Sequence, residues 1–432
     1  MKRTLISTSF VAGAALLLAP HALAADPTAA ETGFLLNNLF VLLCGALVMF
    51  MAAGFAMLEA GMVRSKSVAT ICMKNISLYA LAGIAFFLSG YSLMYGDSVA
   101  GVIGSVGMWQ GDDKAVLAGD LSGNLAPATD WFFQMVFVAT AASVVSGALA
   151  ERVRFWAFAG FTMLLAGLIY PVIGHWTWGG GWLSELGFVD FAGSTIVHSV
   201  GGWAALVGTV LLGARRGRFD KNGRPRVMLP SSLPYVTLGT FVLWLGWFGF
   251  NGGSQLSFSS IADAVAVANI FVNTNAAAAG GVVVMAAASQ FVLGRLDLPL
   301  ILNGALAGLV SITAEPVAPT IWQAMLIGAA GALVMMAAAR LLETLKLDDV
   351  VGAVPVHLAA GIWGTLAVAL TNAEASFAVQ AVGVLAVGIV AIVGSLAAWL
   401  LLKVTVGIRL GREQEDSGAD LAEVGLRAHN FS

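Results

Sequence analysis

A chain of 432 residues that is 59% hydrophobic and only 10% charged is not an ordinary soluble globule, since soluble domains carry about 25% charged residues. The formal net charge of −3 is small, so placement of charge matters more than its sum, and no nucleic-acid partner is expected. Apolar runs of about 20 residues without strict alternation argue against a β-barrel and point to an all-α polytopic membrane protein.

Residues 1–24 read as a cleavable signal peptide. Lys2 and Arg3 form the positive end, LISTSFVAGAALLLA the apolar core, and Ala22-Leu23-Ala24 a small-residue cleavage site. Eleven candidate spans follow, centred near Leu47, Ala85, Ala141, Leu165, Leu206, Leu243, Ala278, Ala307, Ala330, Ile362 and Ile389. The expected division is a leader over 1–24, a transmembrane domain over 25–408 and a tail over 409–432. Most of the 51 glycines fall in the apolar runs, where small residues let helix backbones approach closely in lipid. Cys44 and Cys72 lie in or beside apolar segments and read as small packing groups rather than a disulfide.

Beyond the leader, every Lys and Arg except Lys114 falls on one side of these spans, Lys74 included. The most basic loop, RRGRFDKNGRPRVM, joins span five to span six. Positive loops stay in the cytoplasm, so the mature N-terminus is expected outside and the tail inside.

Two stretches share a pattern: His198 follows Asp190 by eight positions, and His357 follows Asp349 by eight. Span five runs inward and span ten outward, so each His lies about 12 Å deeper than its Asp, from opposite faces. In a hydrocarbon core of about 30 Å both imidazoles reach the midplane. Spans five and ten are five helices apart, which predicts two inverted five-helix repeats, with span eleven left over as a C-terminal brace. Ionisable groups at that depth face a cavity or a partner. Two imidazoles meeting there can share a proton, although bonding to buried carbonyls or ligating a haem iron would also occupy them. Asp349 reads as a helix N-cap; Asp190, near the outer face, would lower the cost of bringing a cation to a pore mouth. His175 reads as a surface group.

The motifs GFAMLEAGMVRSKS, SGALAERVRF, HWTWGGGW, DFAGSTIVH, GWFGFNGGS and DDVVGAVPVHLAAG complete the picture. Through them the chain resembles the ammonium transporter family (Amt/MEP/Rh), on its Amt side, from about Gly33 to Leu410. The resemblance implies a homotrimer of eleven-helix subunits, each with its own pore, in the inner membrane of a Gram-negative bacterium. It implies ammonium or methylammonium as substrate and no cofactor, metal or enzymatic activity. His198 and His357 match the family's twin pore histidines. Trp178 and Ser254 match the outer recruitment site, with Asp190 organising it and assisting deprotonation. Phe137 and Phe250 match the gate rings, Phe133 is a neighbour of the first, and Trp247 matches the pore-lining tryptophan. Without the motif context, the two Phe and two Trp would read as packing or interfacial aromatics and Ser254 as a helix-end cap. Transport is expected to be electrogenic.

Two features depart from a plain match. Glu59, in the inner half of span one, reads as structural through helix-cap bonding. In the tail, Val424 stands where the family pattern has His, which bears on a PII-type signalling protein as cytoplasmic partner. Transport of another small amine and ammonium sensing through the tail are the competing readings, and the tail looks too short for an output domain.

Overall fold

The computed structural model describes residues 26–429, so the expected leader lies outside the described residues. Among those residues ten helices are long and apolar enough to cross a bilayer: α1 (Ala29–Met62), α2 (Ser65–Tyr95), α3 (Pro127–Ala148), α4 (Phe155–Glu185), α5 (Ser194–Leu212), α6 (Leu233–Gly253), α7 (Ile261–Leu293), α9 (Ile321–Thr344), α10 (Val354–Thr371) and α11 (Phe377–Thr405). A shorter apolar helix, α8 (Leu298–Ile312), completes the eleven. Each of the eleven expected apolar segments is helical, ten of them long enough to cross, and the protein is a multi-pass, all-helical membrane protein.

Local signals place the helix starts. Thr28 with Glu31, Ser260 with Asp263 and Thr320 with Gln323 form reciprocal capping boxes at α1, α7 and α9. Proline occupies the first turn of α3, α6 and α8, where its missing N–H costs nothing.

Glycine sets how closely the helices approach. A Cβ on Gly239 of α6 would lie 2.7 Å from the Gly54 carbonyl oxygen of α1, so these two opening helices of the two halves touch backbone to backbone. Gly281 of α7 presses on the Gly304 carbonyl of α8 in the same way. Gly281→Ala is therefore expected to cost about 1–3 kcal/mol through overpacking, read as a lowered melting temperature in detergent. α11 packs outside, against α4 and α5: Trp399 stacks on Phe161 at 4.1 Å, and Gly388 accommodates Trp203.

The basic loops gather at one end, tied by buried ion pairs. Arg215 binds Glu151 at 2.6 Å and Asp348 at 2.8 Å, and Arg64 also pairs with Glu151. Arg152, fully buried, donates to the carbonyls of Ala148 and Asp348. The tail docks beneath this network. Asp420, buried, accepts from the Ala69 and Thr70 amides at the start of α2. Glu415 accepts from the Arg216 amide and from Arg409, while Lys66 holds the Glu415 and Asp416 carbonyls.

Three expectations change here. Lys74 is not a loop residue: it is buried inside α2, its ammonium on the Ser146 carbonyl at 3.0 Å and 4.8 Å from the Phe158 ring centre. Both cysteines are free, but only Cys44 is a packing group; Cys72 is exposed on α2. His175 is not on the surface. It is fully buried, bonded to the Met94 carbonyl at 2.8 Å and Ser98 Oγ at 2.9 Å, because the loop after α2 folds over the end of α4. That loop is held down by Trp176 Nε1 on the Val102 carbonyl.

Candidate functional site

His198 and His357 each ride on a π-helical turn, Ser194–Ser199 in α5 and Val354–Ala359 in α10. The two turns start alike. Gly193 and Gly352 stand three residues after Asp190 and Asp349, both at positive φ (107° and 80°), where a side chain would be strained. That reversal brings the following amides back onto the carboxylates. Asp190 accepts from Thr195 and Ile196 at 2.9 and 2.8 Å, and Asp349 from Gly352 and Val354 at 3.0 and 2.7 Å. The shared pattern is therefore Asp-x-x-Gly-x-x-x-x-His; Asp349 braces its helix start through these amides from four residues before the N-cap position, which is Ala353 and makes no side-chain cap bond.

One turn beyond each histidine is another glycine. A Cβ on Gly202 would sit 2.7 Å from that of Leu358, and one on Gly361 2.5 Å from the Ser194 carbonyl oxygen. The two helices thus cross tightly enough for the imidazoles to meet. His198 Nδ1 and His357 Nδ1 are 3.2 Å apart, with ring centres at 5.2 Å and planes at 26°. Both rings are buried. An Nδ1···Nδ1 hydrogen bond needs one ring to donate and the other to accept, so the pair shares a single proton between complementary tautomers. Two axial ligands on opposite faces of one haem iron, each at about 2.0 Å, would stand about 4 Å apart, and the 3.2 Å between these nitrogens does not match that arrangement. His198 Nε2 is buried without a hydrogen-bond partner.

Aromatic rings complete the column. Trp247 lies 5.0 Å from His198 and is fixed by its Nε1 donating to Thr313 Oγ1 at 2.8 Å. Phe250 lies 5.4 Å from His198 and stacks on Phe137 at 4.0 Å. Phe133 packs 4.8 Å from Phe137, and Trp178 meets Phe137 edge-on at 6.1 Å. Above the stacked phenylalanines is a cavity of about 360 Å³ on the face opposite the basic loops, walled by Phe133, Phe137, Trp178 and Ser254. Ser254 donates to the Phe250 carbonyl at 2.9 Å, which leaves its oxygen free to accept.

Asp190 is not in that wall. It is buried, and it reaches the cavity indirectly: its main-chain carbonyl accepts from Trp178 Nε1 at 2.9 Å. The wall also contains Tyr95, Asp130, Gln134, Phe191 and Leu256, which sequence reasoning did not single out. Asp130 carries a carboxylate there, bonded to Tyr91 Oη at 2.5 Å and Gln134 Nε2 at 3.2 Å. An Asp in the first turn of α3, one turn before Phe133 and two before Phe137, was the available signal. Glu59 is no helix cap either; its carboxylate accepts from Asn75 and Ser146 side chains.

Fold and site together define a multi-pass helical membrane protein of two inverted halves that meet at a buried imidazole pair. A model of the ammonium transporter family matches residues 39–429. Ammonium transporter Amt2 of Archaeoglobus fulgidus is 40% identical over 436 aligned positions, covering 92% of this chain and 90% of its own. The ammonium transporter of Bacillus subtilis is 32% identical, covering 92% and 99% respectively. Among solved structures, the Sensor Amt protein superposes with a TM-score of 0.83 at 34% identity, covering 91% of this chain and 99% of its own. Candida albicans Mep2 does so at 0.78 and 26%, covering 87% and 86%. The chain belongs to the ammonium transporter family.

Proposed function

We propose that this protein moves ammonium across the inner membrane of a Gram-negative cell as ammonia and a proton that part at the phenylalanine gate and pass the imidazole pair. The reading is carried by one observation: a proton-sharing, buried His198–His357 pair directly behind a stacked ring gate and a polar cavity. Trp178 offers its ring face to the cation and Ser254 accepts a hydrogen bond from it. Asp190 acts by positioning Trp178 and bracing the His198 turn. Phe137 and Phe250 exclude hydrated ions, with Phe133 behind them and Trp247 lining the path below. Potassium has no proton to give up, so a path without fixed charge rejects it.

The basic face is the cytoplasmic one, which puts the mature N-terminus in the periplasm after removal of 1–24 and the 409–432 tail in the cytoplasm. The working unit is a homotrimer that needs no cofactor and performs no catalysis. The docked tail offers the surface for a PII-type regulator, with Val424 altering that contact. Trp178→Ala is expected to raise the KM for methylammonium uptake about 2–30-fold, the equivalent of a cation–π contact of about 0.5–2 kcal/mol. An unchanged KM would remove Trp178 from recruitment. Likeness to a protein described as a sensor makes ammonium sensing the second reading. Binding without flux in proteoliposomes would favour it over transport, and flux of other amines at equal rate would widen the substrate.

A further inference from the structure

Glu59 is a carboxylate beside His357 that the transport path leaves unused. It is 1% exposed in α1, and its Oε2 accepts from Asn75 Nδ2 at 3.1 Å and Ser146 Oγ at 2.7 Å. Its Oε1 is buried with no hydrogen-bond partner, which is costly for a carboxylate oxygen unless it has work to do. Glu59 and His357 line the same small cavity of about 20 Å³, beneath the imidazole pair, enough for one water. Asn303 and Gly352 belong both to this cavity and to a wider one of about 440 Å³ that opens on the basic face beside Arg218, Asp348 and Asp349. Lys74 of α2 is a neighbouring cation in the same network. Ser146 bridges the two, donating its hydroxyl to Glu59 while its carbonyl accepts from Lys74.

We infer that Glu59 is the proton acceptor on the basic-face side of the imidazole pair, reached from His357 through one water. The inference rests on the relay reading above. A proton that enters the pair from the outer side makes His357 an imidazolium; its N–H bond breaks, the water passes a proton on, and an O–H bond forms at Glu59 Oε1. That bond then breaks toward water beyond Asn303 and Gly352, restoring the carboxylate. Ammonia itself passes on without binding Glu59.

The test is the ratio of charge moved to ammonia moved in proteoliposomes after an ammonium jump, from transient current and an internal pH dye. Glu59→Gln keeps the size of the side chain and an acceptor for Ser146. Its ratio is expected to fall about 100-fold, the low end of what a positioned proton-transfer group contributes; a ratio equal to that of the intact protein overturns the inference, whatever happens to the rate. If Glu59→Gln does not assemble, infrared difference spectra of the intact protein under ammonium flux decide. A carboxylic-acid carbonyl band that appears with flux supports the role, and no such band overturns it. Absence of any ammonium current in the intact protein would sink the relay reading itself. Current present there, lost in the twin-histidine variant but kept in Glu59→Gln, sinks only the part assigned to Glu59.

Discussion

Replacing both pore histidines, His198→Ala with His357→Ala, is expected to destroy the discrimination between ammonium and potassium. In transient-current measurements on proteoliposomes the intact protein should respond to an ammonium jump and stay silent to potassium. The double variant should lose the ammonium response by about 100-fold or more, or begin to pass potassium. The reason is geometric. In the transport path proposed above the two rings stand below Phe250, His198 at 5.4 Å from it, with one proton between Nδ1 atoms 3.2 Å apart. Alanine removes both the proton carrier, commonly a factor of about 10²–10⁴, and the material that keeps the passage narrow. An unaltered ammonium current with potassium still excluded would show that the imidazoles only pack.

The second large effect lies at the basic end. Arg215→Ala should destabilise the fold by about 3–5 kcal/mol, the usual result of removing one partner from a buried charge cluster. Arg215 is 6% exposed and bonds Asp348 through its amide, Nε and Nη2, and Glu151 through Nη1. Its loss leaves Glu151 with Arg64 alone and Asp348 with only the 3.4 Å contact to Arg218, and it loosens the loops after α1, α3, α5 and α9. Lysine should rescue little, since a point charge cannot reproduce the forked contact. Asp348 gives the same network a pH dependence. Burial alone would raise its pKa, but hydrogen bonds and charge from Arg215, with Arg152 nearby, hold it at about 2 instead of the usual 3.8. A depressed carboxylate stabilises the fold fully above the unfolded value and loses that contribution as pH falls through the folded one. About 2 kcal/mol should therefore disappear between pH 4 and pH 2. Thermal melting in detergent, for both the variant and the acid series, checks the two effects; a variant that melts like the intact protein would show the network to be dispensable.

The sequence by itself determined the number of spans, the gathering of charge at one face, and the inverted relation of the halves. Each rests on information local to the chain: run length, loop composition, and the equal Asp–His spacing that places both histidines at one depth. The capping boxes and first-turn prolines were equally legible, because their partners lie three residues away. The repeated glycine three residues after each Asp was also there to be read, as a turn that only positive φ allows. What the sequence could not fix was which side chains meet across helices. His175, a surface group by position, is buried because a loop some 75 residues earlier folds over it. Lys74, a loop cation by count, is drawn into α2 where the Ser146 carbonyl and the Phe158 ring receive it. Asp190 was expected to organise the recruitment site; its carboxylate accepts from amides of its own helix, and its main-chain carbonyl accepts from Trp178. Asp130 joined the wall unannounced. A membrane span reports how deep a residue lies, since depth follows from rise per residue. The direction in which it faces is decided by the packing of small residues between helices, and only the tertiary structure supplies that.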